Sequence, residues 1–332
     1  MYRREKPLTL KSSASALANN LSALITPEKD SLNYAVVHKA VVNIISSTPD
    51  GSTVTNKQVI CKEPSATHQT TPMILQCKWI QLPVRTVLVL TTLRGIQIYE
   101  YDGAAMIYFH ALGNVHSSEA SEYGNFGRGI ACIGDNFLCV GTQLGEIAVF
   151  DIPPKGTNIT TKESLTGHKQ PICDIASEGN TMVSSDEQGS IIVWSLQDET
   201  SIRQREVIKG NGNPCSCVCL WKKIIVGGFS NGQLKVYSAN TGRLAAEVSA
   251  HVRWVNALDI AKDSGLLLSV SDDTNARIWK LKPGDTPEIE FCFGESVTDM
   301  QLCGGQFVHK AGMGFCVTGY DSSDLVFYLK KN

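Results

Sequence analysis

The chain carries little excess charge and contains no long apolar run. Its 30 lysine and arginine residues against 32 aspartates and glutamates give a formal net charge of −2 over 332 residues. Nucleic-acid-binding domains usually carry a basic stripe or a high isoelectric point, so we expect no nucleic-acid partner. The longest apolar runs, such as residues 87–90, have the length of a strand. They are far shorter than the ~18 residues that span a bilayer, so no direct membrane insertion is expected.

The polar N-terminal residues and the cysteine count indicate a reducing compartment. Residues 1–7 lead into no apolar segment of the kind that signal peptides contain. The chain has 11 cysteines, an odd number, which favours free thiols over a disulfide framework. We therefore predict a cytoplasmic protein, and any association with vesicles or membranes would be made through its partners.

The sequence lacks the phosphate-binding loop of nucleotide-dependent enzymes. It has no Gly-rich stretch ending in Gly-Lys-Ser or Gly-Lys-Thr. Cys215, Cys217 and Cys219 lack the paired spacing of a zinc site. They are better interpreted as small residues of an inner strand, with all three sulfurs on one face because alternate strand residues point the same way. We expect no catalytic residue, no metal and no cofactor.

A short stretch that ends in an aromatic residue recurs along the chain. The two clearest copies are Ser-Val-Ser-Asp-Asp-Thr-Asn-Ala-Arg-Ile-Trp at residues 269–279 and Ser-Ser-Asp-Glu-Gln-Gly-Ser-Ile-Ile-Val-Trp at residues 184–194. Weaker copies end at Tyr99, Phe150, Tyr237 and Phe327. A period of about 40–50 residues made of short strands is typical of β-propeller blades. The sequence therefore predicts an all-β, seven-bladed β-propeller that occupies residues 1–332 as a single domain.

The last repeat stops after its third strand, which predicts how the ring closes. A blade without its outer strand leaves an unpaired edge that invites aggregation. Residues 7–12 precede the first blade and alternate apolar with polar side chains. We predict that they supply the missing outer strand. The longest connections, residues 61–72 and 112–128, both join the outer strand of one blade to the inner strand of the next.

The repeats resemble those of the WD-repeat family. That family uses a Gly-His pair before the inner strand, a Ser or Thr on the second strand, an Asp in the following turn and a Trp on the third strand as a hydrogen-bonded tetrad. Matched residue by residue, blade six carries His251, Ser269, Asp273 and Trp279, and blade four carries His168, Ser184 and Trp194. Gln188 stands at the Asp position of blade four. His168, His251 and Asp273 could be taken for catalytic groups, but the resemblance favours a structural role.

Four other stretches, at residues 1–6, 94–100, 149–153 and 317–321, resemble one particular member of this family. That resemblance implies a non-catalytic interaction scaffold or adaptor that can self-associate as a homo-oligomer, with a link to receptor signalling or vesicle trafficking. An alternative remains open: a substrate-recognition or structural subunit of a larger complex, such as a ubiquitin ligase or a trafficking machine.

The resemblance also places the binding surface. WD-repeat proteins commonly bind peptides on the face that carries the connections between blades and the turns between the second and third strands. Arginine and aromatic residues are enriched in binding hot spots. The residues that this face should present to a protein partner are Arg94, Phe126, Arg128, Gln143, Lys169, Arg253 and Trp254.

Overall fold

The computed structural model describes residues 1–26, 31–48, 51–61, 72–113 and 126–331. These residues form antiparallel sheets that share one central axis, and the strands of each blade are called a to d from the axis outward. Neighbouring a strands contact one another all the way round, from blade one through blade seven and back to blade one. The predicted seven-bladed β-propeller is confirmed.

The first three blades each contain four strands in up-and-down order. In blade one these are β3 (Leu21–Thr26), β4 (Ser31–His38), β5 (Val41–Ser47) and β6 (Val54–Ile60). Blade two consists of β7 (Ile74–Gln81), β8 (Thr86–Thr92), β9 (Gly95–Glu100) and β10 (Met106–Ala111). Blade three consists of β11 (Gly127–Ile133), β12 (Phe137–Thr142), β13 (Glu146–Asp151) and β14 (Thr160–Thr166).

Blades four to six repeat the same order. Blade four consists of β15 (Ile172–Glu178), β16 (Thr181–Asp186), β17 (Ile191–Gln197) and β18 (Ser201–Ile208). Blade five consists of β19 (Cys215–Trp221), β20 (Ile224–Phe229), β21 (Gln233–Ser238) and β22 (Leu244–Ser249). Blade six consists of β23 (Val255–Ala261), β24 (Leu266–Ser271), β25 (Asn275–Lys282) and β26 (Glu288–Ser296).

Blade seven joins the two ends of the chain. Its first three strands are β27 (Leu302–Phe307), β28 (Gly314–Gly319) and β29 (Asp324–Lys330), and its outer strand is split into β1 (Tyr2–Arg4) and β2 (Leu8–Thr9). Both pieces pair antiparallel with β29. The N-terminal strand thus closes the ring as the fold prediction required. Within the segment 7–12 only Leu8–Thr9 pair, and the outer strand begins further upstream than the sequence indicated.

Each of the seven interfaces between blades contains its own apolar cluster. An aromatic residue on strand c fills most of them: Tyr99, Phe150, Trp194, Tyr237, Trp279 and Tyr328. In blade seven the sequence pattern pointed to Phe327, which is wrong by one residue. Tyr328 pairs with Phe315 across the sheet and stacks on it at 4.8 Å between ring centroids. Phe327 faces the other side, against Tyr34.

A β-bulge near the start of strand a recurs in blades two to seven. In blade five it lies between Cys215 and Cys217 and shifts the alternation of side chains. Cys215 therefore packs in the interface with blade four, whereas Cys217 and Cys219 pack in the interface with blade six. The expectation that the three sulfurs share one face is wrong because it assumed an unbroken strand.

Removing the split outer strand should weaken the ring. Deletion of residues 1–9 exposes the hydrogen-bonding edge of β29 and removes Tyr2, whose ring packs on Phe293 and Phe315. We expect the melting temperature to fall by about 5 °C or more, with increased light scattering on heating. The exposed Lys11, substituted by Ala, is the control and should melt like the parent. A deletion that melts at the parental temperature would contradict this role.

Candidate protein-interaction face

The two faces of the propeller carry different connections. We call the side with the d–a connections and the b–c turns the loop face; the a–b and c–d turns form the opposite face. All seven residues predicted to bind a partner lie on the loop face. Arg94, Lys169, Arg253 and Trp254 are exposed there, and Phe126, Arg128 and Gln143 are half-buried. Of the long connection predicted at residues 112–128, residues 114–125 lie outside the described residues.

The tetrad of blade six fixes the connection that leads into it. His251 Nδ1 lies 3.1 Å from both carboxylate oxygens of Asp273, and Nε2 lies 2.8 Å from Ser269 Oγ. Trp279 Nε1 donates to the same hydroxyl at 3.0 Å. With a proton on Nδ1, every donor has an acceptor: indole to hydroxyl, hydroxyl to imidazole, imidazole to carboxylate. Such a satisfied chain can be buried at little cost.

The carboxylate of Asp273 is held in its ionised form. Burial alone would raise its pKa, but the hydrogen bond and attraction from His251 and the backbone N–H groups of Val252 and Asn275 outweigh it. The pKa of Asp273 is therefore below its usual range. The carboxylate can accept all these bonds at neutral pH.

Blade four contains a complete tetrad as well. His168 Nε2 lies 2.7 Å from Ser184 Oγ, which accepts a bond from Trp194 Nε1 at 2.9 Å. The carboxylate comes from Asp186, whose Oδ2 lies 2.8 Å from His168 Nδ1. The expectation that Gln188 leaves this blade without an acid is wrong. Asp186 opens the b–c turn, whereas Asp273 sits later in its turn, so the pattern placed the acid two residues too late.

The connection over residues 250–254 is held at every residue and still exposes its side chains. His251 N donates to Gly232 O, and Val252 N donates to Asp273 Oδ2. The carbonyls of Arg253 and Trp254 accept from Ser271 Oγ and Asp272 N. Val252 nevertheless remains 85% exposed and Trp254 47% exposed. This segment is a preorganised display of one cationic and two apolar side chains.

Sequence reasoning missed several exposed apolar residues of the same face. Val252, Leu144 and Tyr320 are all at least half exposed, at 85%, 51% and 55%. Leu144 and Tyr320 lie in the b–c turns of blades three and seven. The position of Leu144 and Tyr320 in b–c turns could have predicted their exposure, because turn residues that pack against no sheet remain on the surface. Together with Trp254 they make the loop face more apolar than the sequence analysis indicated.

The axis of the propeller contains a cavity of about 310 Å³. Its walls are the inner strands, and polar side chains reach their free edges. Asp174 accepts bonds from the N–H groups of Ile175 and Val218, and Asp259 accepts one from Phe307 N. Burial raises the pKa of both carboxyl groups, that of Asp259 to about 6, although these donors and nearby lysines oppose the rise.

The described residues offer little chemistry of their own. None of the eleven cysteines forms a disulfide, and burial raises the pKa of the inner thiols, that of Cys173 to about 12 and that of Cys217 well above its usual value. A thiol of this kind is a poor nucleophile and metal ligand at neutral pH. Within the described ranges, no group of three His, Cys, Asp or Glu side chains is arranged to hold a metal ion. The described part of the chain also contains no helix of the length and apolarity that would cross a membrane.

The ring of seven blades and the two His-Ser-Trp-Asp tetrads define a WD-repeat β-propeller, a class whose members generally act as non-catalytic scaffolds for protein–protein interactions. The chain belongs to the WDR54 family, whose family model matches residues 1–329. It is 43% identical over 336 residues to WD repeat-containing protein 54 of Mus musculus, and 98% of each chain is covered. The human protein of that name is 42% identical over 335 residues, again with 98% coverage of each. The resemblance noted at residues 1–6, 94–100, 149–153 and 317–321 was to this protein, and it is confirmed.

Solved structures of more distant proteins share the fold. A chain of the crystal structure of the mitotic checkpoint complex superposes with a TM-score of 0.73 at 15% identity, over 99% of this chain and 92% of that one. The WD40 repeats of RRP9 superpose with a TM-score of 0.72 at 13% identity, over 99% and 100%. At such low sequence identities, the similarity shows only that the fold is shared.

The tetrad of blade four can be tested by substituting Asp186 and Gln188 in separate variants and comparing their stabilities. Asp186→Asn leaves one acceptor oxygen where the carboxylate serves His168 Nδ1 and two backbone N–H groups, so at least one buried donor loses its partner. We expect a loss of roughly 1–3 kcal/mol in the free energy of unfolding, measured by denaturant titration. Gln188→Ala, at the position that the repeat pattern favours, should cost less than about 0.5 kcal/mol. Equal costs would contradict the assignment.

The backbone conformation of residues 250–254 should require glycine at position 232. It has a φ of 83°, and a Cβ atom there would overlap the carbonyl of His251. Gly179 has a φ of 57° with open space around it, so Gly179→Ala carries backbone strain without the overlap. We expect Gly232→Ala to unfold about 1–3 kcal/mol more easily than Gly179→Ala, and amide exchange to rise at residues 250–254. If the two variants have the same free energy of unfolding, the close approach of Gly232 to the carbonyl of His251 does not affect stability.

Proposed function

We propose that this chain is a non-catalytic adaptor that binds partner proteins through its loop face. The observation that carries the proposal is the segment 250–254, whose backbone is anchored by hydrogen bonds at residues 251–254 while Val252, Arg253 and Trp254 project into solvent. Tryptophan and arginine, which Trp254 and Arg253 supply here, are enriched in binding hot spots. A rigid backbone reduces the entropy lost on binding.

The distribution of charge on the loop face supports a partner with acidic character. Arg94, Lys169 and Lys209 lie in connections and turns of blades two to five, Arg128 is the second residue of β11, and Arg253 lies between blades five and six. A cationic arc of this kind accelerates encounter with a negatively charged surface. The apolar residues between the cations would then supply most of the affinity.

The proposal extends to assembly and location. We propose that the adaptor is cytoplasmic, forms homo-oligomers, and works in receptor signalling or vesicle trafficking, with any contact with vesicles made by its partners. The low net charge of −2 supports self-association, because little electrostatic repulsion keeps copies apart. The exposed apolar side chains of the loop face offer surface for such a contact.

A matched pair of triple variants tests the function. Arg128→Ala, Arg253→Ala and Trp254→Ala together remove two cations and one apolar side chain from the loop face. The control, Lys155→Ala, Lys223→Ala and Val84→Ala, removes the same types from exposed positions of the opposite face. In proximity labelling in cells, the first variant should no longer label most of the proteins that the parent labels. The control should label the same proteins as the parent.

Light scattering on the purified proteins provides the second measurement. The parent should form dimers or larger species at micromolar concentration, and both triple variants should keep the parental melting temperature because every substituted side chain is exposed or half-buried. A labelling pattern that responds equally to both variants would overturn the loop face as the binding surface. A strictly monomeric parent would overturn self-association.

A further inference from the structure

One residue spans the loop-face end of the central cavity. Asn19, in the connection that follows the N-terminal strand, reaches the axis there. Its backbone N–H lies 3.1 Å from Asn256 O and 3.0 Å from Cys303 O, and its Nδ2 donates to Asp174 Oδ2 at 3.1 Å. This one residue bonds to blades four, six and seven. Most other lining residues belong to the parts of strand a that approach the opposite face, so the cavity opens on that side.

The acidic groups of the cavity are already satisfied. Asp174 accepts three hydrogen bonds, from Ile175 N, Val218 N and Asn19 Nδ2. Asp259 accepts a bond of 2.6 Å from Phe307 N. These bonds tie the free edge of each inner strand to its neighbour. The two carboxylates are therefore committed to the backbone, and neither forms an ion pair with a lysine within the described residues.

The basic groups of the cavity have no protein partner among the described residues. Lys78 on β7 and Lys262, just after β23, both line it. Among the described residues, neither ammonium group has a hydrogen-bond acceptor within 3.5 Å or an ion-pair partner within 4 Å. Both nevertheless lie near enough to Asp259 and Cys132 to favour the ionised forms of those groups. Each ammonium has three donors to place, and only water or a ligand can accept them.

We propose that this cavity is a binding site for a small anionic ligand, one whose phosphate or carboxylate group is held between Lys78 and Lys262 and which enters from the face opposite the loop face. A volume of about 310 Å³ lies at the lower limit of small-molecule sites. It would otherwise hold about ten water molecules. Ser177 and Gln306 also line the cavity and add neutral donors and acceptors for the rest of the ligand.

The site is independent of the proposed adaptor function. The loop-face residues Arg253 and Trp254 are on the opposite side of Asn19 from the mouth of the cavity. A ligand bound near Lys78 would contact the inner strands of several blades at once, and would therefore stabilise the closed ring by mass action. The two proposals can thus fail separately.

The test uses the full chain and two probes, inorganic phosphate and sodium glutamate, at constant ionic strength set with sodium chloride. Binding is measured by isothermal titration calorimetry and by the shift of the melting temperature. We expect the double variant Lys78→Gln, Lys262→Gln to bind the preferred probe about tenfold more weakly or worse. Lys78→Arg, which keeps the charge, should retain most of the affinity. Preference for one probe over the other distinguishes a phosphate ligand from a carboxylate ligand.

Two controls keep the result decisive. Lys223→Gln removes an exposed lysine of the opposite face that does not line the cavity, and it should bind like the parent. General stabilisation by phosphate as a salt would affect every variant equally. If the double variant does not fold, Lys262→Gln alone carries the test, because Lys262 is exposed at the mouth. Absence of binding to the parent, or equal losses in Lys223→Gln and Lys262→Gln, would overturn the proposal.

Discussion

Seven inner strands face one axis, and their inner edges have no further strand with which to pair. An unpaired edge leaves N–H and C=O groups that need partners, and here side chains of neighbouring blades supply them. Ser22 Oγ accepts from Trp79 N, Gln76 Oε1 from Gly129 N, Asp174 from Val218 N and Asp259 from Phe307 N. Ser216 and Asn256 donate to carbonyls of the next blade. These bonds join blade to blade near the axis, and they oblige the inner strands to contain polar residues.

The same requirement links the two faces of the molecule. Asn19 bonds to three blades at the loop-face end of the axis and belongs to the connection that leads from the N-terminal strand into blade one. Ring closure by β1 and β2 and closure of the cavity therefore depend on one segment. At the periphery of the loop face the tetrads also fix connections between blades. In blade six, Asp273 accepts hydrogen bonds from both His251 Nδ1 and Val252 N. Groups that stabilise the fold thus also position the residues proposed to meet a partner.

Much of the architecture could be predicted from the repeat period. Several errors arise where one or two residues shift the register. The bulge between Cys215 and Cys217 sends neighbouring thiols to different interfaces, and Tyr328 takes the interface position that counting assigned to Phe327. Asp186 escaped notice because its turn begins earlier than that of Asp273. A fixed spacing cannot represent a change in backbone geometry that a local turn absorbs.

The sequence by itself determined the number of blades, the order of strands, the need for an N-terminal outer strand and one complete tetrad, because these depend on periodicity and on residue types that act locally. Only the tertiary structure decided which carboxylate completes the tetrad of blade four, that Asn19 bonds to three blades at the axis, and that Lys78 and Lys262 line one cavity. Those relations join residues far apart in the chain. They depend on how seven twisted sheets converge on one axis, and the spacing of residues along the sequence does not encode the distances between side chains there.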